Sequence, residues 1–178
     1  MKCKISSLLL ALSSSSLMHG QDKSGQMALR PLFQTADSIV ILSHQDLNLR
    51  ATKEEMKQGI GGYNRHIVDD AYQLNECIVV ERAALDQQAT ITLKEILMRQ
   101  KRDDEVPADK ASCFLPHETI LFYRQGICAY IDICFGCRRY ELSTGIHLEA
   151  ELLQASSDWT LLEAFFIRHQ VSYEIDIR

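Results

Sequence analysis

The sequence predicts an α+β fold: a mainly antiparallel sheet, a β-hairpin at about residues 117–134, and two or three packed helices. Three observations carry that prediction. "HETILFYRQGICAYIDICF" holds two alternating apolar runs joined at Gln125-Gly126, which is a hairpin pattern. "DQQATITLKEILMRQKR" and "SSDWTLLEAFFIRHQ" repeat apolar residues at helical spacing. Strand-like and helix-like segments follow one another with no internal repeat and no linker, which suits one packed domain.

The first twenty residues, "MKCKISSLLLALSSSSLMHG", place Lys2 and Lys4 before an apolar run at 5–12 and then small residues. That order is the pattern of a secretory signal peptide, and the run is shorter than the roughly 20 apolar residues of a membrane span. The expectation is a signal segment at 1–20, with cleavage near Ser16 or Gly20. A single domain at 21–178 would then be exported to the periplasm or secreted, with no transmembrane segment of its own.

Further elements follow in order. Residues 39–42 form a β-rich run, and "ATKEEMKQ" carries Thr52 and Glu55 at capping-box spacing for a short helix. "GIGGYN" ends that helix. It lacks the Lys-Ser/Thr that a phosphate loop requires, so it reads as a turn. "ECIVVERAAL" predicts a strand centred on 78–80, with Cys77 as a small core residue. In the next helix Leu93, Ile96, Leu97 and Gln100 share a face, and either Thr92 with Glu95 or Asp86 marks its start. "RDDEVPADKAS" is a charged, proline-containing loop. "ELSTGIHLEAELLQASS" reads equally as strand or helix. The last helix has Ser157 or Asp158 as cap and a face of Trp159, Leu162, Phe165, Phe166 and His169. "VSYEIDIR" alternates strictly and predicts a closing half-buried strand.

Composition removes one class of partner. The formal charge of −5 would become −7 on loss of Lys2 and Lys4, and the one basic cluster, "RQKRDDE", is neutralised by its own acids. Non-specific nucleic-acid binding needs a positive footprint, which this chain lacks. Nor is there a G-x-S-x-G, an H-E-x-x-H or a dinucleotide fingerprint, so no enzyme class is indicated by motif.

Cysteine placement says more. After cleavage Cys77, Cys113, Cys128, Cys134 and Cys137 would remain, in a compartment that permits disulfides. The number is odd, so at least one sulfur is unpaired, metal-bound or intermolecular. A two-residue hairpin loop pairs Arg124 with Ile127, Tyr123 with Cys128, Leu121 with Tyr130, Thr119 with Asp132 and His117 with Cys134. Ile120, Phe122, Ile127, Ala129, Ile131 and Ile133 then share a core face, with Glu118 and Arg124 as its only interruptions. That register sets His117 about 5 Å from Cys134 at Cβ, with Cys113 four residues before His117 and Cys137 three after Cys134.

Three chemistries fit this C-x3-H…C-x2-C constellation. Cys113, His117, Cys134 and Cys137 together are a Cys3His ligand set for Zn²⁺, and the thiolates also suit Cu(I). The Cys134-Phe135-Gly136-Cys137 pair could cycle as a dithiol, aided by Arg138 and Arg139, although no helix begins there to lower a thiol pKa. Or the sulfurs are structural, with Cys113 bridged to Cys134 or Cys137 in a binding domain without catalysis. Cys128 and Cys134 lie about 20 Å apart along one strand and cannot pair. Asp69, Asp70, His44, His147 and His169 read as ordinary surface groups, with His44, at a strand end, a lesser site candidate.

The residues "PHETILFY" and "AYIDICFGC" also resemble a signature of small uncharacterised exported bacterial proteins. Its elements here are Pro116, His117, Phe122, Tyr123, Ile133, Cys134, Phe135 and Cys137. The resemblance covers about 25 residues. It implies export and carries no activity.

Overall fold

The structure is a computed structural model. It describes residues 27–175 except 50, 60, 71 and 149; the predicted signal segment and the last three residues lie outside that set. In chain order the elements are β1 (Met27–Ala28), α1 (Leu29–Thr35), β2 (Ser38–His44), β3 (Asn48–Leu49), α2 (Lys53–Lys57), β4 (Tyr63–Asn64) and β5 (Val79–Ala84). Then come α3 (Gln87–Leu97), β6 (Glu118–Arg124), β7 (Ile127–Cys134), β8 (Arg139–Leu142), β9 (Ile146–His147) and α4 (Ser156–Arg168).

Five strands form one antiparallel sheet in the order β5-β2-β6-β7-β8. Two short pairs lie outside it: β3 with β4 antiparallel, and β1 with β9 parallel. The α+β class and the antiparallel sheet are as the sequence predicts. The hairpin register holds pair by pair, from Arg124↔Ile127 to Glu118↔Ile133. Gln125 and Gly126 both take positive φ, +52° and +79°. That is the conformation a two-residue loop needs to match the twist of its strands.

One face of the sheet carries Ile39, Ile41, Ile120, Phe122, Ile131 and Ile133 into a core with α1, α3 and α4. Helix α3 contributes Ala89, Leu93, Ile96 and Leu97, and α4 contributes Trp159, Leu162, Phe165 and Phe166. Ile127, assigned to this face by alternation, is exposed at the turn. The opposite face is also covered: Leu42, Leu121 and Cys128 pack under Ile67 and Ile78 from the segment before β5. Burial on both faces is why Thr119 and Asp132, on that opposite face, are inside.

Helix starts follow hydrogen-bond supply. Thr52 and Glu55 form the expected capping box on α2. Asp86, not Thr92, starts α3, accepting from the Ala89 N–H at 2.7 Å; the Thr92 hydroxyl donates back to the Gln88 carbonyl within the helix. For α4 the boundary residue is Ala155, whose N–H is accepted by Asp158 Oδ2 at 2.8 Å.

Two expectations are corrected. Cys77 is exposed in the turn before β5, not a core residue. Residues 171–175 form no strand: they turn at 173–175, with Glu174 at φ +62°. Val171 and Ile175 are buried in the main core, a spacing of four that a turn satisfies as well as a strand does. The N–H groups of Ser172 and Tyr173 both donate to Glu81 Oε2, at 2.7 and 2.9 Å. A carboxylate on edge strand β5 thus takes the place of a backbone ladder.

Candidate functional site

The sulfurs meet where β7 turns into β8. Strand β7 ends at Cys134, residues 135–138 turn, and Arg138 takes φ +50° so that Arg139 can pair with Cys134 in β8. This reversal folds Cys137 back onto Cys134. The two stand at disulfide distance, with 5.3 Å between their Cα atoms, inside the range that a disulfide spans. Phe135, between them, is buried against Trp159 and Phe166, so the turn is anchored in the main core.

Cys113 arrives from the long loop before β6. The Ala111 N–H donates to the Cys137 carbonyl at 3.0 Å. The Arg139 guanidinium donates to the carbonyls of Ser112 and Cys113 at 3.0 and 3.4 Å, and lies over the Phe114 ring at 5.6 Å. These ties bring Cys113 Sγ to 2.9 Å from Cys137 Sγ. Cys134 and Cys137 are buried, whereas Cys113 is an exposed free thiol. The Cys137 N–H also points at Cys134 Sγ, 3.3 Å away. An open cleft of about 410 Å³ flanks the turn, lined by Asp109, Ala111, Phe135, Gly136 and Arg138.

Three of the four expected metal ligands are therefore brought together. The ladder ends at Glu118↔Ile133, one pair short of the expected His117–Cys134 pair, and the contacts of the His117 ring are with other groups. His117 Nδ1 donates to the His44 carbonyl at 3.3 Å, its Nε2 is 3.4 Å from Asp46 Oδ1, and Tyr173 lies 6.0 Å away ring to ring. Among the described residues, no group of three or more His, Cys, Asp or Glu is spaced to hold a metal ion. The pair at disulfide distance is the C-x2-C pair, with Cys113 beside it.

Sequence reasoning underrated two buried groups nearby. His44 is fully buried, stacked on His117 with ring centroids 6.2 Å apart, and donates from Nδ1 to the Gln45 carbonyl. Burial pushes it down to about 4, against the pull of that carbonyl. Asp132 is enclosed between strands and accepts from the Thr119 hydroxyl at 2.7 Å. Burial pushes it up to about 7, opposed by Thr119 and reinforced by Glu141. His44 carried a weak signal in its place at a strand end; Asp132 carried none beyond its pairing with Thr119. Cys128 belongs to the second apolar cluster, and burial pushes its thiol up to about 12, which keeps it protonated and inert.

No family model, no curated protein and no solved structure matches this chain. No helix among the described residues is long and apolar enough to cross a membrane.

Proposed function

We propose that the protein is an extracytoplasmic thiol–disulfide exchange protein whose working couple is Cys134 and Cys137. One observation carries this reading: a free thiol, Cys113, lies 2.9 Å from a sulfur that is already at disulfide distance from a third. Exchange needs a thiolate beside a disulfide, and a structural bridge has no use for a third sulfur. The N–H of Cys137 gives the Cys134 sulfur a donor when the bond opens, which favours its thiolate. In the reductive direction the dithiol passes two electrons and two protons to a partner disulfide and closes its own bond. The leader-like first twenty residues support a compartment where such chemistry operates.

The test is reduction of insulin disulfides driven by dithiothreitol. The expected result is acceleration by the wild type that falls at least tenfold in Cys137→Ser and is unchanged in Cys128→Ala. Equal rates with and without the protein would reduce the bridge to a structural staple.

The same convergence of sulfurs supports a second reading, with Zn²⁺ or Cu(I) held by Cys113, Cys134 and Cys137 as thiolates and His117 from the next strand. Disulfide and metal are exclusive states of these sulfurs. Elemental analysis of protein purified reduced and metal-replete separates them: about one equivalent of metal favours the site, and less than a tenth rules it out.

A further inference from the structure

The three sulfurs differ in access in a way that orders the chemistry. Cys134 and Cys137 are buried, and only Cys113 is exposed. Its contact is with Cys137, not Cys134. A partner too large to enter the turn reaches the couple through Cys113 alone. The turn is open on its outer side, since a Cβ added at Gly136 would meet nothing within 4 Å.

We infer that Cys113 is the port of a three-sulfur relay, with Cys137 as the middle sulfur and Cys134 as the buried store; this rests on the exchange reading above. Starting from the reduced protein, the Cys113 thiolate attacks a partner disulfide. A mixed disulfide forms and one partner thiolate leaves. The Cys137 thiolate then attacks Cys113 Sγ, forming a Cys113–Cys137 bond and expelling the second partner thiolate. Finally the Cys134 thiolate attacks Cys137 Sγ. That step forms the Cys134–Cys137 bond and returns Cys113 as a thiolate. The partner disulfide gains two electrons and, from solvent, two protons, while Cys134 and Cys137 lose two of each. No outside oxidant is required, and the last step is an internal exchange across the observed 2.9 Å contact. The partner class is a protein or peptide disulfide accessible at its surface. Arg139, bonded to the Ser112 and Cys113 carbonyls, acts as a positioning residue.

The probe is oxidised glutathione added to prereduced protein, followed by acid quench, alkylation and peptide mapping. Wild type should release two glutathiones and finish as Cys134–Cys137. Cys137→Ser should hold one glutathione, on Cys113. Cys134→Ser should stop at Cys113–Cys137, and Cys113→Ser should react at least tenfold more slowly. Cys113 is exposed, so its replacement leaves the core intact, and a matching thermal melt of that variant verifies this. Should Cys113→Ser match the wild-type rate, or the glutathione in Cys137→Ser sit on Cys134, the relay is overturned while the two-cysteine couple stands. If the wild type reacts no faster than free cysteine and closes no bond, both readings fall together.

Discussion

Asp132 and His44 are buried titratable groups with opposite effects on stability. Asp132 has a folded-state pKa of about 7 against an ordinary 3.8. The native state therefore holds a proton that the unfolded chain has lost, and stability falls as pH rises from about 4 to 7. His44 has a folded-state pKa of about 4 against 6.5. Here the unfolded chain holds the extra proton, so stability rises over about pH 4 to 6.5. In that shared window the two slopes oppose each other. Asp132→Asn, which can still accept from Thr119, should make stability climb by on the order of 2 kcal/mol between pH 4.5 and 6.5. His44→Gln should make it decline by a similar amount. Urea midpoints at the two pH values, compared with wild type, measure both; a pH dependence unchanged from wild type in each variant would show that these groups do not titrate as described.

At the scale of elements, the hairpin turn and the α4 boundary are the positions most open to test. Gly126 sits at φ +79°, and a Cβ there would touch nothing within 4 Å, so Gly126→Ala is purely a backbone penalty. It should cost about 1–2 kcal/mol in chemical denaturation. Gln125→Asn, at φ +52°, should gain a few tenths of a kcal/mol, since Asn tolerates that conformation better. Asp158 joins three elements: it accepts from Ala155 at the start of α4 and from Arg99 after α3, and Arg99 also binds Glu105 in the intervening loop. Loss of the cap alone in Asp158→Ala should cost about 1 kcal/mol, whereas Asp158→Asn keeps the Ala155 bond. A melting temperature equal to wild type in Asp158→Ala would mean that the junction contributes nothing. Strict alternation about a Gln-Gly pair made the hairpin and its register legible. The closing strand was misread because Val171 and Ile175 satisfy a period of two and a spacing of four alike. What decides between them is Glu81, some 90 residues away in the chain, and pattern carries no trace of that contact.

For the molecule as a whole, the proposed exchange requires that the bridge open without unfolding the protein. A disulfide between residues three apart closes a short loop and restrains the unfolded chain by only about 2 kcal/mol. That is small beside the 5–15 kcal/mol typical of a domain, and the sheet is buried on both faces independently of it. Reduced protein should keep its far-ultraviolet circular dichroism and lose only a few degrees in melting temperature. Loss of the cooperative transition on reduction would mark the bridge as a folding requirement. The convergence of sulfurs was legible because C-x2-C at a strand end and the hairpin register are both local. The engagement of His117 was not, because its ring bonds to a carbonyl of β2, a strand more than seventy residues earlier. The covered second face was hidden for a related reason: Ile67, which helps to cover it, sits in a segment for which the pattern predicts no element.

The central claim is that Cys113, Cys134 and Cys137 form one redox unit, resting as a bridge beside a free thiol. A peptide map of native protein, alkylated without reductant and again after unfolding, addresses it directly. The expected map shows Cys134 and Cys137 joined, Cys113 labelled in the native state and Cys128 labelled only after unfolding. Free alkylation of all three in the native protein, or a bond from any of them to Cys77 or Cys128, would contradict it.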